Sequence, residues 1–345
     1  MSSKKLILVT GINGFLGSHT VDQLVKAGYR VRGTVRSSKV DFVRESNAIY
    51  GSDVEVIGID DLAFGDFTDA LKGVDAVIHV AAPLPGRDTP EDALTASIEG
   101  AVNILRQSER VGIKRYVLVS SIVTVGSLTD FSSPWKETDW FDTTREKALA
   151  SNDPGFVYQS EKVLAEQAVW EFAEKHPSID VTVLNPPIFI GPYAPNFRFT
   201  DALINQMSTN ALLYQLVNPS GKFFLGHLLM SDIRDIARAL MLTLKTPTHT
   251  KQKKRLLYQP YALSWKEVAE HVAQARPELK ERISKAALTD YEHPCPPNPV
   301  AEATLRTVEY LGLGELVDWK ESVLAGVDAV LEAEKKFAKE GKTFH

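Results

Sequence analysis

A glycine pattern at the first turn constrains this chain more than any other feature. Thr10-Gly11-Ile12-Asn13-Gly14-Phe15-Leu16-Gly17 follows an apolar run, residues 6–10, and opens an amphipathic stretch, residues 15–27. The spacing is G-x-x-G-x-x-G at a strand-to-helix junction, and each glycine has its own task. Gly11 permits the tight turn, Gly14 lets the backbone approach a pyrophosphate, and Gly17 lets the helix pack closely on the strand. The helix that follows turns free N–H groups and the positive end of its dipole toward an anion. A glycine-containing turn without a ligand is the plain alternative. Placement at the first strand–helix junction favours nucleotide binding, so Gly11, Asn13, Gly14, Phe15, Leu16 and Gly17 are the expected phosphate cradle.

The first half of the chain repeats one alternation. Residues 6–10, 30–35, 54–59, 76–80 and 115–120 read as strands, with helices over 15–27, 39–48, 66–71 and 90–111. Strand runs such as LILV, AVIHVAA and YVLV are nearly continuous in apolar residues, which suits a sheet covered on both faces. Short connections between alternating elements imply right-handed βαβ units. A long helix is expected over 156–175, closed by Pro177, then a sixth strand over 181–185 and the breaker-rich loop PPIFIGPYAPNFR. Further helices are expected over 232–244, 265–275, 308–311 and 317–336, the second opened by a Ser264/Glu267 capping box. The fold class is α/β: a Rossmann doubly wound parallel sheet with a smaller, mixed C-terminal substrate-binding lobe. Residues 1–185 are expected to form the dinucleotide-binding domain, and 186–345 mainly the substrate-binding lobe, interleaved with the first.

Bulk properties narrow the partners. The net charge of −5 and the lack of a long basic run argue against nucleic acid. No apolar run reaches the roughly 18 residues that a membrane span needs. With Cys295 as its one cysteine the chain cannot form an internal disulfide, and no signal peptide is visible; both point to a reducing, cytoplasmic setting. No metal is called for. A monomer and a homodimer are both compatible with the sequence.

The end of the second strand bears on cofactor choice. An NAD-preferring site places an acid about 20 residues past the glycine loop to hold the ribose 2′-OH. No acid lies between Asp22 and Asp41; Arg36 ends the strand, with Lys39 close by. A guanidinium can pair with a 2′-phosphate where a carboxylate would repel it. NADP(H) is therefore the expected cofactor, solvated surface charges being the alternative. Asp61, with Leu62 next to it, ends the third strand and could accept from an adenine amine or cap the following segment. Ala81 and Ala82 end the fourth strand with small side chains that leave room for a cofactor. His79, within that strand, is read as a packed core histidine.

Tyr158 and Lys162 stand four apart on the long helix and so share one face. A neighbouring ammonium stabilises a phenolate and lowers the phenol's pKa, which improves it as a proton donor. Such a pair is common by chance, and the glycine loop upstream gives it weight. Ser120 and Ser121 follow the fifth strand, at the edge where open α/β sheets place their ligands. A hydroxyl there could hold a substrate oxygen for protonation. Pro83, Val123, Phe189, Tyr193 and His227 are candidate lining residues of an apolar, aromatic-tolerant substrate pocket; they could equally pack the second lobe.

Taken in order, TGINGFLG, VRGTVR, DDL, HVAAP, VSSIVTVG, YQSEK and NPPIFIGP resemble the extended short-chain dehydrogenase/reductase superfamily over nearly the whole chain. Within it the chain looks like the branch of dihydroflavonol reductase, cinnamoyl-CoA reductase and microbial aldehyde and ketone reductases. That resemblance implies a catalytic set of Ser121, Tyr158 and Lys162, with Arg36 at the 2′-phosphate, Asp61 and Leu62 at adenine, and Ala81 and Ala82 near the ribose. It also implies Pro186 and its neighbour Ile188 beside the nicotinamide. Departures are visible too. A second basic residue that plant members often carry is replaced by Val43, with Arg44 next, and Ser97 stands where many extended members have Asn; Asn103 is retained.

Reduction of a bulky aldehyde or ketone with NADPH is the reading carried forward. An NAD-dependent sugar-nucleotide epimerase or dehydratase is the runner-up. Dehydratases of this fold place Asp-Glu just after the serine or threonine, where this chain has Ile122 and Val123. A catalytically silent NADP-sensing protein is third, opposed by the Tyr/Lys pair.

Overall fold

A computed structural model describes residues 4–82, 89–127, 133–221, 227–248, 253–289 and 297–344. Its strands in chain order are β1 (Leu6–Thr10), β2 (Arg30–Val35), β3 (Val54–Gly58), β4 (Ala76–His79), β5 (Arg115–Val119), β6 (Asp180–Asn185), β7 (Ile188–Ile190), β8 (His227–Asp232), β9 (Lys254–Leu257) and β10 (Tyr261–Ser264). Seven of them form one parallel sheet in the order β3-β2-β1-β4-β5-β6-β9. The order reverses between β1 and β4, so the crevice of a doubly wound sheet opens at their carboxyl ends.

Helices cover both faces, as the near-continuous apolar strands require. On one face, α1 (Phe15–Lys26), α2 (Val40–Ser46) and, later in the chain, a helix over Ile233–Thr243 bury Val21, Leu24, Ile236 and Leu240 against the sheet. Opposite them lie α3 (Thr68–Leu71), α4 (Pro90–Arg110), α5 (Arg145–Ala150) and α6 (Pro154–Lys175), with Ile104, Leu105, Val169 and Trp170 in the core. The C-terminal half adds α7 (Ala211–Leu216), α8 (the Ile233–Thr243 helix just named), α9 (Trp265–Ala275), α10 (Ala301–Leu311) and α11 (Trp319–Lys339). Thr89 and Asp153 cap α4 and α6 with their side chains, each ahead of a proline at the first helical position. The Ser264/Glu267 capping box at α9 is present as expected. No helix among the described residues is long and apolar enough to cross a membrane.

The second half differs from the expectation in its strands. The loop after β6 contains β7, which pairs with β8; β8 also takes β10, giving a small mixed sheet of three strands. β7 is only Ile-Phe-Ile between prolines, too short for a periodic signal. β9 lies within a stretch that reads as polar, yet it completes the main sheet beside β6. Its first two residues are charged and nevertheless buried, because acids wait for them. Lys254 Nζ reaches the Asp180 carboxylate at 2.5 Å and Arg255 Nε reaches Glu166 at 2.6 Å.

Candidate active site

The glycine loop has the geometry its spacing implied. Gly11 has φ +69°, and a Cβ on Gly17 would stand 2.1 Å from the Gly11 carbonyl oxygen. Gly14 precedes α1 with extended backbone and no side chain caps this helix, so its first amides face outward unclaimed by a cap. Asn13 and Gly14 are exposed at the tip, while Phe15 and Leu16 are buried in the core. The Thr10 hydroxyl accepts from the Val80 and Ala81 amides, both at 3.0 Å, and bonds the His79 ring at 2.9 Å. This ties the ends of β1 and β4 together and seats Ala81 against Gly11, whose ideal Cβ would come within 3.0 Å of it. A backbone cradle that a side chain would fill, open to a helix N-terminus, fits a dinucleotide pyrophosphate.

Next to the loop lies a charged rim. Arg36 follows β2 and is exposed, and Lys39 is half-buried one short turn later. Asp61 Oδ1 accepts from the amides of Ala63 and Phe64 at 2.8 and 3.1 Å, so it does cap its own turn. Asn103 braces the same segment by donating to the carbonyls of Leu62 and Gly65. Asp60, to which the sequence assigned no role, accepts from both the amide and the hydroxyl of Ser37, at 2.7 and 2.6 Å.

At the other end of the crevice the fold brings Ser121, Tyr158 and Lys162 together. Lys162 Nζ stands 5.7 Å from the Tyr158 ring centroid, and the Ser121 hydroxyl lies close enough to the phenol to favour its ionised form. The two serines are separated: the Ser121 hydroxyl accepts from the Val123 amide at 3.4 Å on the side of Tyr158, whereas Ser120 donates to Glu166 at 2.6 Å. Gln159, beside Tyr158, donates to the carbonyls of Val123 and Gly126 and fixes the turn after Ser121. The Ile122 amide donates to the Pro186 carbonyl at 2.9 Å, which sets Pro186 against the same turn. Leu62, Ala81, Ala82, Ser97, Ser120 and Lys162 line one cleft here.

The electrostatics differ from the expectation. Burial, followed by the Glu161 carboxylate, raises the Tyr158 phenol above its ordinary range, and the Ser121 hydrogen bond only offsets this. Burial also lowers Lys162, with Glu161 opposing.

A buried polar network behind the serines was not foreseen. Glu166, fully enclosed, accepts from Ser120, Thr124, Asn185, Trp170 and Arg255. Asn185 also donates to the Ser121 carbonyl at 3.1 Å, so the network grips the backbone of that serine. Arg255 stacks on Trp140 at 3.7 Å and donates to the Thr124 hydroxyl and the carbonyls of Glu137 and Asp139. Glu166 was detectable as the next acid on the Tyr158/Lys162 helix face, four residues after Lys162. Its partner from β9 carried no such signal. Ser97 also finds a task, donating to Glu161 at 3.2 Å.

The candidate substrate residues scatter. Pro83 lies outside the described residues. Val123 is half-buried on the turn after Ser121. Tyr193 is spent on an aromatic stack with Phe15, Phe197 and Phe199, and Phe189 leans on Phe15 at 6.1 Å. His227 starts β8 half-buried, opposite Ser264. Ile188 is half-buried on β7, in the second lobe.

The model of the NAD dependent epimerase/dehydratase family matches residues 7–257. An uncharacterised oxidoreductase of Schizosaccharomyces pombe is 34% identical over 70% of this chain and 74% of its own. A Candida albicans protein provisionally named an NADPH-dependent methylglyoxal reductase is 31% identical over 83% of this chain and 87% of its own. Among solved structures, yeast methylglyoxal/isovaleraldehyde reductase Gre2 complexed with NADPH superimposes with a TM-score of 0.83 at 23% identity, over 96% of this chain and 99% of that one.

Proposed function

We propose, from the premise that this chain belongs to the NAD dependent epimerase/dehydratase family, that it reduces a bulky, apolar or aromatic aldehyde or ketone, with Tyr158 donating the proton. It is an NADP(H)-dependent oxidoreductase acting on carbonyls, of the extended short-chain dehydrogenase/reductase type. The observation that carries the finer reading is the juxtaposition of Ser121, Tyr158 and Lys162 at the carboxyl edge of the sheet, with Lys162 Nζ 5.7 Å from the Tyr158 ring centroid.

Bound NADPH would supply the hydride. Ser121 holds the carbonyl oxygen by a hydrogen bond from its hydroxyl. Tyr158 passes its phenolic proton to that oxygen as negative charge develops, and the Lys162 ammonium stabilises the phenolate left behind. The loop from Gly11 to Gly17, including Asn13, holds the pyrophosphate, and Arg36 and Lys39 take the 2′-phosphate. Asp61 and Leu62 border the adenine, Ala81 and Ala82 the ribose, and Pro186 and Ile188 the nicotinamide. Val123 and His227 face the substrate. Residues 1–185 hold the dinucleotide; 186–345 build mainly the substrate lobe, apart from β9, which completes the parallel sheet, and α8, which covers it beside α1.

The aliphatic Ile122 and Val123 after Ser121 favour this reading over sugar-nucleotide elimination, which needs an acid and a base there. A panel of aldehydes, ketones and β-ketoesters, followed by loss of NADPH absorbance, tests the substrate class; turnover of nucleotide sugars alone would overturn it. Tyr158→Phe should cut kcat by about 10²–10⁴-fold while leaving the NADPH Kd unchanged. Retention of most of the kcat would remove Tyr158 from the reaction.

A further inference from the structure

The expectation of NADP(H) rests on Arg36 and on the lack of an acid between Asp22 and Asp41. That search follows the chain along β2 and past its end. In the fold a different strand delivers the acid. β3 lies parallel to β2 with Val35 opposite Gly58, and the Ile59 amide donates to the Val35 carbonyl at 2.7 Å. Asp60 therefore emerges directly beside the turn that carries Arg36. Its two oxygens take the amide and the hydroxyl of Ser37, at 2.7 and 2.6 Å. Ser37 thus offers these two donors directly next to Arg36.

We infer that Asp60 is a cofactor-specificity residue: it restrains the NADPH preference set by Arg36 and admits NADH to the same site. The inference rests on the reading of the Arg36 rim as the ribose end of the cofactor site. A carboxylate at this place accepts a ribose 2′-OH, as the acid at the end of β2 does in NAD-preferring sites. Toward a 2′-phosphate it acts as a like charge and as a competitor for the Ser37 donors. The hydrogen bonds from Ser37 hold the Asp60 carboxyl below its usual range, so the charge persists at neutral pH. At an exposed rim a like charge is worth on the order of a tenfold change in binding, and added salt weakens it.

Equilibrium titration of the full chain by calorimetry, without turnover, tests this with 2′,5′-ADP against 5′-ADP and with NADP⁺ against NAD⁺. Asp60→Asn keeps the shape and removes the charge. It should raise the preference for the 2′-phosphorylated ligand about tenfold, mainly by tightening 2′,5′-ADP, and the gain should shrink at high salt. Asp60→Ser should shift the ratio in the same direction. An unchanged ratio in both variants, or an equal weakening of all four ligands, would overturn the inference and leave Asp60 as a brace for the turn. Arg36→Ala separates the two levels. If it lowers the ratio while Asp60→Asn leaves it alone, only the role of Asp60 fails; if neither moves it, the rim is not the 2′-phosphate site.

Discussion

Behind Ser121, Glu166 and Arg255 meet with side chains 0% and 4% exposed, and the donors around them come from α6, β6, β9 and the turn after β5. Beside Arg36, at the far end of the same crevice, Arg36, Ser37 and Asp60 all face water. The contrast teaches what each end has to do. The serine must be held in one geometry, and a buried network in a low local dielectric gives that rigidity, at high cost if a member is lost. Under the proposed reading the Arg36 rim has only to discriminate a phosphate from a hydroxyl, which exposed charges do with modest, salt-sensitive energies.

The contrast can be tested from its stronger side. Glu166→Ala leaves Arg255 buried without an anion and should cost about 3–5 kcal/mol of stability, read by denaturant unfolding. A loss under about 1 kcal/mol would mean the network is not what holds this end. Arg36→Ala, at the open end, should leave stability alone. It should weaken NADPH about 10- to 100-fold, the worth of a charge-assisted phosphate contact, with little effect on NADH; equal weakening of both would refute the rim's assignment.

His79 sharpens the comparison through pH. Burial, with Lys162 adding to it, pushes this imidazole down to about 3. An unfolded histidine titrates near its ordinary 6.5, so below that value the unfolded chain takes up a proton that the native chain refuses. The stability due to neutral His79 is complete above pH 6.5 and falls by about 1.4 kcal/mol per pH unit as the pH drops toward 3. His79→Gln should flatten the unfolding slope by that amount between pH 6 and 4, measured against the unsubstituted chain. An identical slope in both would show that His79 accepts a proton within the fold.

Much of the first half was legible in the sequence. The glycine loop, five parallel strands and the Tyr158/Lys162 face are each specified by residues close together in the chain, and strand ends shifted by only a residue. β7, β9 and β10 were not legible, since three- and four-residue runs carry no period, and the charges on β9 mask a buried strand; the six-residue β8 was missed as well. Glu166 was half legible, by its register on α6. Asp60 stood in plain view beside Asp61, yet its partner Ser37 is 23 residues away.

The sequence by itself determined the cofactor fold and the side chains proposed for catalysis, because backbone conformation, helix register and a strand's carboxyl end are local properties. Only the tertiary structure decided which distant charges meet. It placed Arg255 on Glu166, turned Ser120 away and left Ser121 to Tyr158. It also set Asp60 beside Arg36 where the chain between Asp22 and Asp41 offers no acid. The physical reason is that parallel pairing aligns the ends of strands far apart in the chain, and burial then decides which charges must find a partner.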